Sequence, residues 1–155
     1  MENCYLITGA SGFLGRYMLN QLPKNTVTIG RGDTNSIKCD LSQKEPIIPN
    51  GVVSVVHAAG LAHTTSSAME FYKNNVVATE NLLSALSKSK NVIERFIFIS
   101  SVSVYGLEEG VNIDEETPTM PTTPYGQTKL IAELIITNWV AANNVDLVIL
   151  RLPLL

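Results

Sequence analysis

Charge is scarce in this 155-residue sequence. Only 16% of its residues are Asp, Glu, Lys or Arg, and the formal net charge is −3. No basic run interrupts that balance, which excludes a surface built to neutralise serial phosphates, so no nucleic acid is expected as a partner. Long hydrophobic runs are missing too. None reaches the ~18 residues of a membrane span, and no membrane partner is expected. Met1-Glu2-Asn3 leads straight into an apolar segment without a basic n-region. No signal peptide is read there, and the cytoplasm is the expected location. Cysteine is scarce. Cys4 and Cys39 fall on the predicted first and third strands, and a sheet in 3-2-1 order sets the second strand between them, which argues against a disulfide. His57 and His63 have no Cys, Asp or Glu at a metal-ligand spacing, so no metal is predicted.

What the chain does have is apolar residues, 45% of the total, in short runs that alternate with helical patterns. That composition suits a parallel sheet buried on both faces, and about 150 residues suffice for one domain with a real core. Cys4-Tyr5-Leu6-Ile7, Thr26-Val27-Thr28-Ile29-Gly30, Ser36-Ile37-Lys38-Cys39, Val52 to Val56, Arg95 to Ile99 and Asp146 to Arg151 read as strands. Helices are expected from Arg16 to Leu22, from Met69 to Leu86 and from Tyr125 to Asn143, with a loop over Glu108 to Pro124. This is an α/β pattern, and the expected fold is a Rossmann-type doubly wound parallel sheet in the order 3-2-1-4-5-6 with helices on both faces.

The first turn, Thr8-Gly9-Ala10-Ser11-Gly12-Phe13-Leu14-Gly15, joins strand to helix. Its glycines meet three needs: a tight turn, close approach of a diphosphate and close helix–strand packing. Free N–H groups at the new helix's start then favour an anion. After the second strand, where an acid would hold a ribose 2′-OH, stand Gly30 and Arg31, with Asp33 beyond. An arginine there suits a 2′-phosphate, so the local chemistry leans to NADP over NAD. Asp40-Leu41 closes the third strand, where Asp40 could accept from adenine or cap the turn starting at Ser42. His57-Ala58-Ala59-Gly60 ends the fourth strand with small residues that admit a flat ligand, and His57 itself reads as a packed, hydrogen-bonded residue. Asn74-Asn75 interrupts the apolar stripe of the long helix, so one of the pair is expected to face something polar. Ser100-Ser101 closes strand five. Tyr125 and Lys129 lie one turn apart and project together.

Taken in order, the glycine turn, Asp40-Leu41, His57-Ala58-Ala59-Gly60, Asn74-Asn75-Val76, Ser100-Ser101 before Val104-Tyr105-Gly106, and Tyr125-xxx-Lys129 resemble the extended short-chain dehydrogenase/reductase family. Within it, the sequence is most similar to the NAD-dependent epimerase/dehydratase branch acting on nucleotide sugars, the UDP-glucose 4-epimerases above all. The resemblance implies that Gly9, Ser11, Gly12, Phe13, Leu14 and Gly15 cradle the pyrophosphate and that Asp40 and Leu41 meet the adenine, while Arg31 is placed at the adenosine ribose by its local chemistry alone. It further implies that Ala58, Ala59, Gly60 and Asn74 line the cofactor, NAD or NADP. Ser101, Tyr125 and Lys129 match the catalytic serine, tyrosine and lysine, the last two also binding cofactor. Two positions depart from those epimerases: Ala62 replaces a lysine that helps hold the cofactor, and Gly30-Arg31 replaces an acidic strand end.

By the same resemblance, Tyr125 takes a proton from a sugar hydroxyl while Ser101 hydrogen-bonds that oxygen. A phenol's reference pKa is about 10. Lys129, with an oxidised nicotinamide, is expected to favour phenolate. The keto sugar's fate separates epimerase, dehydratase and reductase. Family members run to about twice this length, and Arg151-Leu152-Pro153-Leu154-Leu155 resembles the start of a motif leading into a substrate domain. The chain is therefore expected to be a truncated dinucleotide-binding domain over residues 1–155, lacking the C-terminal substrate domain. Two other readings are a non-catalytic dinucleotide-binding module and an interaction module. In the latter, the two long helices, with Ile131, Leu134, Ile135 and Trp139, bury a partner helix pair as in the family's dimers, though the same residues could simply pack on the sheet.

Overall fold

The computed structural model describes residues 4–62 and 65–153, so Met1-Glu2-Asn3, His63, Thr64, Leu154 and Leu155 lie outside the described residues. Six strands form one parallel sheet: β1 (Cys4–Thr8), β2 (Val27–Gly30), β3 (Ile37–Lys38), β4 (Val52–His57), β5 (Arg95–Ser101) and β6 (Asp146–Leu152). Their order is β3-β2-β1-β4-β5-β6. The strands sit where the apolar runs placed them, except that β3 shrinks to two residues at the sheet's edge.

Helix α1 (Phe13–Leu19) starts three residues earlier than the periodicity suggested, because the chain turns into helix directly at Gly12. It also ends earlier, at Asn20. The helix read as Met69 to Leu86 is really three pieces end to end. They are α2 (Ala68–Phe71), a π-helical segment (Tyr72–Val77) and α3 (Ala78–Lys88). Ser67 and Glu70 close a reciprocal capping box that fixes its start. A 3-10 turn (Val102–Tyr105) follows β5. Helix α4 (Pro124–Asn143) begins with proline at its first position, capped by the Thr123 hydroxyl on the Gly126 amide.

One face of the sheet carries the larger core, where Leu6, Val55, Phe96 and Phe98 meet Leu82, Leu86, Ala132 and Ile136 of α3 and α4. The opposite face packs Ile7 and Val56 against Met18 and Leu19 of α1. Each such side chain removed from water stabilises the fold by about 1.5–3 kcal/mol. Cys4 and Cys39 are free and buried. Trp139 and Ile135 are partly buried against the larger core, the second of the two placements read for them, and the Trp139 indole donates to Ser87 Oγ at 2.7 Å. Among the described residues no helix is long and apolar enough to cross a membrane.

Candidate active site

The parallel order brings the carboxyl ends of β1 and β4 side by side, with Thr8 opposite His57. The turns that leave these two strands touch. Gly9 has φ +74°, and a Cβ there would stand 2.6 Å from the Ala59 amide nitrogen. At Gly15 a Cβ would stand 2.0 Å from the Gly9 carbonyl oxygen, so only glycine lets α1 lie this close to the turn. The first turn of α1 carries no acid and no side-chain cap, which leaves the Phe13 and Leu14 amides available to an anion. Arg16 Nε ties the turn by donating to the Ser11 carbonyl at 2.9 Å.

Two adjoining cavities, about 210 and about 580 Å³, run along this edge and share Gly9, Gly12, Ala58 and Gly60. The smaller also meets Ser11, Arg31, Asp40, Leu41, Ala59 and Asn74. The larger meets Phe13, Leu14, Gly15, Ser101, Tyr125 and Lys129. Every residue that the resemblance assigned to the site, and Arg31, borders one of these two adjoining cavities. Asp33 does not. It pairs with Lys38 at 2.5 Å, both well exposed. Asp40 makes the turn cap foreseen for it, accepting from the Ser42 amide at 3.0 Å and hydroxyl at 2.7 Å, while still bordering the smaller cavity.

His57 is buried between two hydroxyls. Thr79 Oγ1 gives its proton to the Asn75 carbonyl (2.6 Å), so it can only accept from His57 Nε2 (3.0 Å). The proton therefore sits on Nε2, and Nδ1 accepts from Thr8 Oγ1 at 2.7 Å, which itself accepts from the Ala59 amide at 3.1 Å. Burial, then the charge of Lys129, pushes the imidazole down to about 3, so it stays neutral. It is the packed, hydrogen-bonded residue read from the sequence, and it links the ends of β1 and β4 to α3.

The Asn pair divides its work. Asn74 is half-buried and donates to the Glu70 carbonyl at 2.9 Å. Asn75 is buried: Oδ1 accepts from the Leu61 amide (2.7 Å), and Nδ2 donates to the Leu61 carbonyl (3.2 Å) and Thr128 Oγ1 (3.0 Å). Thr128 in turn donates to the Tyr125 carbonyl at 2.9 Å. One amide side chain thus fastens the β4 turn to the first turn of α4. Sequence reasoning passed it over for Asn74, although the polar pair within an apolar stripe was the signal.

Tyr125 is half-buried, its ring tilted against Phe71 at 5.8 Å between centroids. Lys129 is 5% exposed. Its Nζ donates to the Ile99 carbonyl at 2.7 Å and sits 4.8 Å over the Phe98 ring. Here one expectation is corrected. Burial raises the Tyr125 phenol, and the group acting the other way is the Ser101 hydroxyl that bonds to it, not Lys129. Lys129 is itself pushed down to about 8 by burial, opposed by the charge of Glu133. Glu133 and Arg151 went unmarked in the sequence as site residues, although a lone acid in the apolar run Leu130 to Ile136 is an anomaly. Among the described residues no cluster of His, Cys, Asp or Glu could hold a metal ion.

A crevice at the carboxyl edge of a parallel sheet in the order β3-β2-β1-β4-β5-β6, floored by a glycine turn and walled by Ser101, Tyr125 and Lys129, is the architecture of a Rossmann fold. The NAD dependent epimerase/dehydratase family matches residues 5–155, and the chain belongs to that family. It is 30% identical to UDP-glucose 4-epimerase of Azospirillum brasilense, over 94% of this chain and 47% of that protein. The fold resembles UDP-glucuronic acid 4-epimerase of Bacillus cereus in complex with NAD, with TM-score 0.76, 27% identity, and 97% of this chain and 55% of that one covered. It also resembles RMD of Pseudomonas aeruginosa complexed with NADPH, with TM-score 0.81, 25% identity, and 97% and 53% covered. The chain spans about half the length of the curated relatives it matches.

Proposed function

We propose that this chain is the dinucleotide-binding part of an NAD(P)-dependent enzyme of the epimerase/dehydratase type. Its reaction is transient oxidation of a hydroxyl, C4, on a nucleotide-diphosphate sugar. The observation that carries this reading is the convergence of Ser101, Tyr125 and Lys129 on the cavity whose opposite wall is the glycine turn. A nicotinamide dinucleotide fits the crevice. Gly9 and Gly15 leave no room for a Cβ, the Phe13 and Leu14 amides open an uncapped helix, and Asp40, Leu41, Ala58, Ala59 and Asn74 border the adenosine side. Bound there, the cofactor supplies hydride acceptance and return.

The chain's own groups handle protons and position. Tyr125 Oη receives the hydroxyl proton of the sugar, Ser101 hydrogen-bonds that oxygen as it becomes a carbonyl, and Lys129 offers its remaining N–H groups to the ribose. With the phenol raised by burial, Tyr125 needs a nearby positive charge to act as a base at neutral pH. A cytoplasmic location fits the two free, buried cysteines.

A second reading, an NADP-dependent sugar or carbonyl reductase, is favoured by Arg31, which borders the smaller cavity while Asp33 is taken up by Lys38. The test is to purify the chain, denature it, and identify any released dinucleotide by mass spectrometry, then titrate the apo-protein with NAD and NADP. Retained NAD supports an enzyme that recycles its cofactor. A clear preference for NADP that Arg31→Ala abolishes supports the reductase. Binding of neither overturns both.

A further inference from the structure

Gly30 ends β2 on the border of the smaller cavity, the place from which a side chain reads the adenosine ribose of a dinucleotide. The space beside it is already taken. A Cβ at Gly30 would stand 2.8 Å from Asn35 Nδ2 and 2.9 Å from Asn35 Oδ1. The Asn35 carboxamide, from the loop after β2, thus lies against the spot where a side chain at residue 30 would begin. Its own loop holds it there. The Asn35 backbone N–H and Nδ2 both donate to the Gly32 carbonyl, at 3.3 and 2.9 Å. Oδ1 and the second Nδ2 hydrogen have no partner among the described residues. The glycine at the strand's end makes room, and the asparagine five residues on fills it.

Asn35 also borders a further cavity of about 350 Å³, together with Ser11, Arg16 and Thr34. Ser11 borders the smaller cavity as well, so the two adjoin at the glycine turn. Two guanidinium groups flank the junction. Arg31 borders the smaller cavity and makes no hydrogen bond or ion pair among the described residues. Arg16 uses Nε on the Ser11 carbonyl, and its Nη groups are unpaired among the described residues. The nearby acids are engaged elsewhere: Asp33 pairs with Lys38, and Asp40 accepts from Ser42. Among the described residues no carboxylate borders the further cavity, whose polar groups are hydroxyls, a carboxamide and a guanidinium. That is a donor set for a phosphate monoester.

We propose that Asn35, seated against Gly30, sets the choice of cofactor in this crevice: with Arg16 and Arg31 it forms a subsite for a phosphate on the ribose 2′-oxygen. The proposal rests on the reading of the crevice as a dinucleotide site. A carboxylate at this place accepts from a 2′-OH and repels a 2′-phosphate. A carboxamide accepts through Oδ1 and donates through Nδ2, so it admits the phosphate and leaves the two arginines to attract it. Exchange of that one amide for a carboxylate reverses the choice.

The probes are 5′-AMP and adenosine 2′,5′-bisphosphate, which differ only in the 2′-phosphate and carry no nicotinamide. Isothermal titration calorimetry measures each on the whole chain. The wild type is expected to bind the bisphosphate about tenfold or more tighter than 5′-AMP. Asn35→Asp keeps the side chain's shape and adds a charge. It is expected to weaken the bisphosphate about tenfold or more while 5′-AMP binds as before or tighter. Arg16→Gln is expected to weaken the bisphosphate alone, by about threefold or more. Lys38→Gln changes the net charge by the same amount as Asn35→Asp from a side chain that borders neither cavity, and should leave the ratio of the two affinities within about twofold.

A wild type that binds the two probes equally, prefers 5′-AMP or binds neither overturns the proposal. So does a ratio that stays put in Asn35→Asp or Arg16→Gln, or that moves as far in Lys38→Gln as in Asn35→Asp. A chain that prefers the bisphosphate in this way and yet binds neither NAD nor NADP keeps the subsite and loses the functional reading.

Discussion

His57 marks the point where the turns leaving β1 and β4 are held together, and its neutrality has a price in acid. The folded imidazole titrates near 3, against an unfolded value near 6.5. Between those limits the unfolded chain binds the extra proton, so stability rises with pH there and is lost as pH falls. From pH 7.5 to pH 5 this one group accounts for a loss on the order of 2 kcal/mol. Urea denaturation of wild type and His57→Asn at both pH values should show that loss in the first and not in the second. Gly15 is as demanding for a steric reason. Gly15→Ala sets a methyl 2.0 Å from the Gly9 carbonyl oxygen and should cost about 1–3 kcal/mol. Gly12→Ala, whose methyl meets that same oxygen at 3.3 Å, should stay within about 0.5 kcal/mol in the same melts. The glycines were legible because spacing reports them. The proton position on His57 was not, since it depends on Thr79, a residue on another element that no local pattern links to it.

At the scale of elements, the π-helical segment is the feature that periodicity could not show. The apolar spacing of Met69 to Leu86 fits an unbroken helix nearly as well, and an extra residue in one turn leaves no mark on composition. Such segments gather at functional sites. Here the widened turn contains Asn75 and brings its amide to Leu61 and Thr128. Asn75→Ala strands the Leu61 amide and carbonyl and should destabilise by about 1–3 kcal/mol, with faster hydrogen exchange at Leu61. Asn74→Ala loses one half-exposed bond and should cost less than about 0.5 kcal/mol. The polar pair told the reader that something was there. Which of the two faced inward was settled only by the turn's geometry.

For the molecule as a whole, the alternation of apolar runs and helical patterns made a parallel α/β sheet legible, and the glycine turn selected the Rossmann order among the few that right-handed crossovers allow. The ring of contacts from Ser100 through Glu133 and Arg151 to Tyr105 was illegible, since it joins residues from separate elements that meet only after folding. Outer apolar side chains remain on the two long helices. Met69, Tyr72, Ile131 and Leu134 are exposed, whereas Trp139 and Ile135 are partly buried against the core. If that face pairs two copies, sedimentation velocity should show a dimer that Leu134→Glu turns into a monomer, with the fold unchanged by circular dichroism. A monomer in the wild type removes the face from consideration.

The sheet order also sets a timetable. β1 comes off the ribosome ahead of the other described strands, yet it is a central strand that needs a neighbour on each edge. β2 supplies one soon afterwards, but the second edge stays open until β4 has emerged as far as His57. Throughout that interval a nascent chain carries an apolar strand, Cys4-Tyr5-Leu6-Ile7-Thr8, with unpaired backbone along one side, the kind of edge that recruits other chains. The strand that anchors the finished fold is thus the one most exposed during synthesis, and a holdase has most reason to bind before residue 57 appears.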